Sequence, residues 1–183
     1  ERRLLHSDFS QDIVLEAGSR RLDFVTKVNW KELHRLLKVS FPVAVQAEEG
    51  INEIQFGYVT RPTHRSRQYD KDRFEVCNQR YSALCDQSHG AAVLNDCKYG
   101  VSMNGNELQL SLLRAAASPE MRADNGEHTF TYAFTAWEGS FGDSPVVEEA
   151  YRLNVPMGIA DGSRRTFSAF QLDKENVWID TVK

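Results

Sequence analysis

Apolar and polar positions alternate with a period of two along much of the chain, which is the pattern of strands with one buried face. Leu22, Phe24, Thr26 and Val28 interleave with Asp23, Val25, Lys27 and Asn29, and this strand is expected to end near Trp30. A second extended run spans Leu36, Leu37, Val39, Phe41, Val43 and Val45. Pro42 denies that run one ladder donor and so places it at an edge or a bulge. After a Glu48-Glu49-Gly50 turn, Ile51 to Thr60 reads as one further strand. Tyr99, Val101 and Met103 face Leu108, Leu110 and Leu112 across Asn104-Gly105-Asn106, and Asn-Gly predicts a type I′ hairpin with two positive-φ positions. His128, Phe130, Tyr132 and Phe134 alternate with Thr129, Thr131 and Thr135 in another strand.

Only one segment carries a helical pattern. Ser144 to Leu153 offers Ser144 as the cap and Pro145 in the first turn, where a missing N–H costs nothing. Residues 31–37 are read as extended rather than as a helical turn. Residues 154–166, with Pro156, Gly158, Asp161 and Gly162, form a loop leading to a terminal hairpin of Thr166–Leu172 and Val177–Val182. Many strands and one short helix near 145–153 predict an all-β antiparallel sandwich, one domain over residues 1–183. The ends at Glu1-Arg2-Arg3 and Asp180 to Lys183 carry no cap or stop feature and read as a piece of a longer chain.

Composition narrows the function classes. With 183 residues, 41% hydrophobic and 26% charged, the chain can bury one sizeable core. A formal net charge of −4 and scattered Lys and Arg argue against nucleic acid as a partner. The densest basic stretch, Arg61 to Arg73, is broken by Pro62, Tyr69, Asp70 and Asp72 and reads as a solvated loop. No run approaches the length of a bilayer-spanning segment, and residues 1–10 are not a signal peptide, so no membrane is expected. Cys77, Cys85 and Cys97 form no C-x-x-C pair and no N-x-Ser/Thr site is present, which suits a reducing, cytoplasmic setting. The three cysteines read as small buried apolar side chains.

The usual chemical constellations are absent from the sequence. His6, His34, His64, His89 and His128 show no metal-ligand spacing, and there is no phosphate-cradling glycine motif and no nucleophile elbow. Glu48-Glu49 and Glu148-Glu149 read as solvated surface, so no catalytic, cofactor-binding or metal residue is assigned. Trp30, Trp137, Trp178 and Tyr58 are candidate sugar-stacking platforms or core residues. Two polar segments interrupt the apolar pattern: Arg61-Pro62-Thr63-His64-Arg65 and Asn95-Asp96-Cys97-Lys98-Tyr99-Gly100. Both functional loops and ordinary turn chemistry fit them. Arg61, His64, Arg65, Asn95, Asp96, Lys98 and Tyr99 are therefore the candidate site residues.

Several blocks resemble a known family. The run Ile54 to Arg65, together with Ser19 to Phe24, Asn29 to Glu32, Leu36 to Val39, Arg73 to Val76, Leu94 to Gly100 and Leu110 to Arg114, is similar in order and spacing to the C-terminal region of cytosolic and bacterial family 38 glycoside hydrolases. Asn29 departs from the Asp that is commoner before the Trp. The resemblance implies the fold of a galactose mutarotase-like supersandwich. It further implies a parent enzyme that is a retaining α-mannosidase acting on mannose-containing oligosaccharides. Zinc or cobalt and the nucleophile would lie in its N-terminal catalytic domain, with a helical domain between. No position here matches those catalytic motifs, so the fragment is expected to be inactive alone and to carry no cofactor. Its partners would be the catalytic and helical domains, and the seven candidate residues would face them. A stand-alone carbohydrate-binding module and a homo-oligomerisation domain are the competing readings.

Overall fold

The computed structural model describes residues 2–158, 161–162, 166–174 and 177–182. Six strands come first: β1 (Arg2–Leu4), β2 (Ser7–Leu15), β3 (Arg21–Trp30), β4 (Leu36–Pro42), β5 (Glu49–Ile54) and β6 (Gly57–Pro62). A short helix, α1 (Gln68–Asp72), leads to β7 (Val76–Cys77), β8 (Tyr81–Cys85) and β9 (His89–Asn95). The chain continues through β10 (Gly100–Asn104), β11 (Glu107–Arg114) and β12 (Gly126–Glu138), then a 3₁₀ turn at Phe141–Asp143 and helix α2 (Val146–Asn154). Every strand pairing is antiparallel. One sheet has eight strands in the order β1-β2-β3-β12-β9-β8-β5-β6, and the other has four, β4-β11-β10-β7.

The two sheets face each other across one core. Val28, Trp30, Val93, Phe130 and Tyr132 of the large sheet meet Leu110, Leu112 and Leu113 of the small one. Rings continue the contact, with Phe41 of β4 at 5.1 Å from Phe134 and 5.7 Å from Phe24. The other face of the large sheet is also covered, because Ala92, Leu94, Ala133 and Trp137 pack with Val146 and Ala150 of α2. Strands β8 and β9 are thus buried on both faces and read as continuous apolar runs rather than alternating ones. Glu149 belongs to this layer. It is buried, and Arg21 and Arg152 bond its carboxylate, so the expectation of a solvated Glu148-Glu149 pair fails for the second residue.

Several boundaries differ from the sequence reading, each for a local reason. The run 51–60 is two strands joined at Gln55-Phe56, where Phe56 takes φ 60°, and Glu49 and Gly50 belong to β5 rather than to a turn. The 104–107 hairpin turns on Gly105 and Asn106, and only Gly105 has positive φ (59°). Glycine at the first central position is the signature of a type II′ turn, not I′. Leu112 sits in a bulge of β11 between Ser111 and Leu113, which lets two adjacent leucines both face inward. Helix α2 has Pro145, not Ser144, as its N-cap residue, and no side chain bonds there.

The expected terminal hairpin is not seen among the described residues. Residues 166–174 and 177–182 carry no strand, while Glu175 and Asn176 of its turn lie outside the described residues. Phe167, Phe170, Leu172, Val177, Ile179 and Val182 are exposed. A two-stranded hairpin needs a third strand or a packed face to persist in water; among the described residues no strand pairs with this stretch, and its ring contact with the fold is Trp178 against Tyr151.

Candidate functional site

The pairing register separates the two polar segments. The ladder Thr60–Ile51–Ala83–Ala92 crosses four strands of the large sheet. Arg61 and Pro62 leave it on one side and Asn95 on the other, so the segments exit opposite ends of the strands. Five residues of strand separate Gly90, on the Pro62 side, from Asn95, roughly 16 Å at 3.3 Å per residue. They do not converge on one site within this chain.

The first segment is stapled down by Thr63, which is buried. Its Oγ1 donates to the Ala47 carbonyl at 2.6 Å, its N–H donates to the Glu48 carbonyl, and its own carbonyl accepts from Gly105 N–H. Beyond it His64 and Arg65 are exposed, with His64 Nδ1 3.0 Å from Ser66 Oγ. The basic stretch is more ordered than a solvated loop. The Arg67 backbone N–H and guanidinium both donate to the Asp70 carboxylate, at 3.0 Å, and the Asp70 side chain is 1% exposed. The Arg67 guanidinium holds that carboxyl below the usual carboxylate range.

The second segment is turned inward. Asn95 is wholly buried; its Nδ2 donates to the Gln79 carbonyl at 2.7 Å and its Oδ1 accepts from Lys98 N–H at 2.8 Å. The Asn154 side chain of α2 donates to the Asn95 carbonyl. Asp96 extends the β12 ladder past the end of β9, with its Oδ2 accepting from Thr131 N–H at 2.8 Å. Lys98 lays its ammonium 4.4 Å from the Phe130 ring centre. Tyr99 is 55% exposed. Lys98 and Tyr99 line an open groove of about 710 Å³ with Phe74, Glu75 and Arg114. Of the seven candidates, Asn95 and Asp96 therefore build the fold, Lys98 and Tyr99 face a groove, His64 and Arg65 face solvent, and Arg61 lines a separate pocket.

Cys77 and Cys97 are exposed and only Cys85 joins the apolar layer, so the reading of three buried cysteines holds for one. Partial burial and the adjacent Asp96 push the Cys97 thiol up to about 11, far from a reactive thiolate. Trp30 and Trp137 are core residues, whereas Tyr58 and Trp178 are about half exposed. Sequence reasoning missed the ion pair of Glu53 and Arg80. The Glu53 carboxylate, 4% exposed, accepts from the Arg80 guanidinium at 2.6 Å and from its backbone N–H at 2.6 Å. Twenty-seven residues separate the partners, and no local pattern marks such a pair.

The residues present do not fit a metal. Among the described residues no three His, Cys, Asp or Glu side chains converge. Three of the imidazoles are engaged within the fold: His89 Nε2 lies 2.8 Å from the Ala44 carbonyl, His128 Nε2 2.7 Å from that of Asp124, and His64 beside Ser66. Among the described residues no helix is long and apolar enough to cross a membrane.

The architecture is that of a two-sheet antiparallel sandwich whose buried carboxylates brace loops. The family model described as "Glycosyl hydrolases family 38 C-terminal domain" matches residues 1–122, and the chain belongs to that family. It is 43% identical over 182 residues to alpha-mannosidase 2C1 of Homo sapiens and 39% identical over 181 residues to alpha-mannosidase G of Dictyostelium discoideum. Those alignments take in 97% and 95% of this chain but 18% and 17% of the relatives, so the chain spans less than a fifth of their length. The crystal structure of an alpha-mannosidase from Enterococcus faecalis V583 superposes with a TM-score of 0.77 at 21% identity, over 86% of this chain and 19% of that one. That likeness is one of fold.

Proposed function

We propose that this chain is the non-catalytic C-terminal part of a retaining α-mannosidase that removes α-linked mannose from oligosaccharides. In this reading it packs against the enzyme's catalytic and helical domains and helps to cover the active-site face. The observation that carries the reading is the match to the C-terminal family model by a chain that spans 18% of an α-mannosidase relative. The use of the buried carboxylates supports it. Glu53, Asp70 and Glu32 are each bonded to groups that hold loops in place, Glu32 through His6 N–H and Ser7 Oγ at 2.8 Å.

Apolar exposure on the last described segments supports the packing role, since Phe167 is 83% and Val182 60% exposed. Zinc or cobalt and the nucleophile belong to the part of the enzyme outside this chain, and free cysteines accord with a cytoplasmic location. Lys98 and Tyr99 in the open groove, and His64 and Arg65 at the surface, are placed where neighbouring domains would meet them. Two measurements test the proposal. Residues 1–183 alone release no product from an aryl α-mannoside with or without zinc or cobalt, and turnover would overturn the non-catalytic role. Hydrogen exchange on the intact enzyme shows protected amides at 166–174 and 177–182, and free exchange there would overturn the packing.

A carbohydrate-binding module is the second reading, favoured by the exposed Phe56 and Tyr58 on the tip of the β5–β6 hairpin and by Trp178. Saturable binding of mannobiose to the isolated chain would support it; a flat titration would remove it. An oligomerising role would appear as a mass above the monomer in light scattering of the intact enzyme that is lost on removing these residues.

A further inference from the structure

Residues of β5 and β6 in the large sheet, of β7 and β10 in the small one, and of the segment 67–74 that links β6 to β7 line a common pocket. Gly50 explains the close approach of the sheets beside it: a Cβ there would stand 2.0 Å from Met103 Sδ. Arg61 is the residue directly opposite Gly50 on β6, and cross-strand partners share a face, so its side chain enters the same space. The result is a pocket of about 200 Å³ whose walls include Arg61, Asn52, Phe74, Val76 and Met103.

The charges in this pocket do not balance. Arg61, Arg67 and Arg73 line it against a single carboxylate, Asp70, which accepts three bonds from Arg67 alone. Arg73 lies over the Tyr69 ring at 4.1 Å. The Nη1 of Arg61 is buried and has no hydrogen-bond partner among the described residues. Guanidinium is always ionised, and an N–H donor shut away from water with no acceptor is costly unless an anion meets it. The chain as a whole is negative, at −4, so this is a local concentration and not a general basic surface.

We infer that this pocket is a binding site for a small oxyanion, a carboxylate or phosphate, taken by the forked guanidinium of Arg61 with Arg73 at the mouth. Its size sets the class of ligand. About 200 Å³ is below the roughly 300–1,000 Å³ of pockets that hold drug-sized molecules, so an oligosaccharide does not fit. A single anionic group on a short apolar stem does, with the stem against Phe74, Val76 and Met103. The inference does not depend on the mannosidase reading, because it rests on the pocket and its unmatched charge alone.

The test is titration of the full-length protein with sodium phosphate and with sodium benzoate, against sodium chloride at equal ionic strength, read by calorimetry and by melting temperature. At least one of the two oxyanions gives saturable heat and a rise in Tm that chloride does not. Arg61→Met keeps the aliphatic stem, weakens that binding by about tenfold or more, the worth of a charge-assisted hydrogen bond, and leaves the anion-free Tm equal or higher. Arg73→Gln, at an exposed position that does not endanger folding, weakens it by a smaller factor. Absence of any saturable effect of phosphate or benzoate on the unmutated protein overturns the inference. So does an Arg61→Met protein that binds phosphate or benzoate as tightly as the unmutated one, since the anion would then be held elsewhere than in this pocket.

Discussion

Asn95→Ala separates a residue that builds a loop from one that contacts a ligand. The side chain is fully buried and makes two bonds within the fold, donating to the Gln79 carbonyl at 2.7 Å and accepting from Lys98 N–H at 2.8 Å. Alanine removes both and leaves each backbone partner unmet in a half-buried setting. A net hydrogen bond contributes about 1 kcal/mol and an orphaned buried group costs about 1–3 kcal/mol, so the loss is set at about 3 kcal/mol. For a chain of this size that lowers Tm by roughly 6–12 °C.

Asn95→Asp sharpens the test. A carboxylate still accepts from Lys98 N–H but cannot donate to Gln79, and it places negative charge against a carbonyl oxygen at the distance of a former hydrogen bond. It should destabilise at least as much as alanine at neutral pH. Urea unfolding followed by tryptophan fluorescence measures both, with unchanged m-values showing that stability alone has moved. A loss below about 1 kcal/mol for Asn95→Ala would refute the assignment of this side chain to the fold, the expectation for a side chain whose bonds water can replace.

Other substitutions probe the sheet and its charges. Gly90 pairs with Trp137 and Cys85, and a Cβ there would lie 2.2 Å from Trp137 Cζ2 and 2.7 Å from Cys85 Cβ, so Gly90→Ala should cost about 1–3 kcal/mol by overpacking. Gly57→Ala meets nothing within 4 Å, and its φ is not positive, so urea unfolding should show it neutral or stabilised by up to about 1 kcal/mol. Equal effects of the two would refute the packing argument. The Ser88 hydroxyl and the Ser88 and His89 backbone N–H groups hold the Asp86 carboxyl at about 2. Its folded value lies below the unfolded value of about 4, so its contribution is complete above that value and is lost as pH falls toward 2. Asp70 and Glu32, also held low, add to the same limb. Asp86→Asn should flatten the plot of unfolding free energy against pH between about 4 and 2, and an unchanged slope would count against the linkage.

Much of the fold was legible because its signals are local. Alternation over Leu22 to Trp30 and His128 to Thr135 reports one buried face whatever that face meets, and the 105–106 hairpin and the helix at Val146–Asn154 follow from turn and periodicity rules. The resemblance carried the family. Strands β8 and β9 were harder to read, since burial on both faces by the small sheet and by α2 erases the period-two signal. The terminal segment shows the reverse: local pattern reads its apolar residues as strands, yet the described residues 166–174 and 177–182 carry none.

The candidate site divides along the same line. Sequence alone marked Arg61 to Arg65 and Asn95 to Tyr99 as polar interruptions and left open whether they bind a partner or make turns. Only the register put them at opposite ends of the strands, turned Asn95 and Asp96 inward, and stood Arg61 across from Gly50. The pairs Glu53–Arg80 and Arg21–Glu149 likewise join residues 27 and 128 positions apart. Local pattern determines which face of a strand is apolar; which distant group meets a given polar side chain is decided by strand order and sheet packing, which no short window of sequence contains.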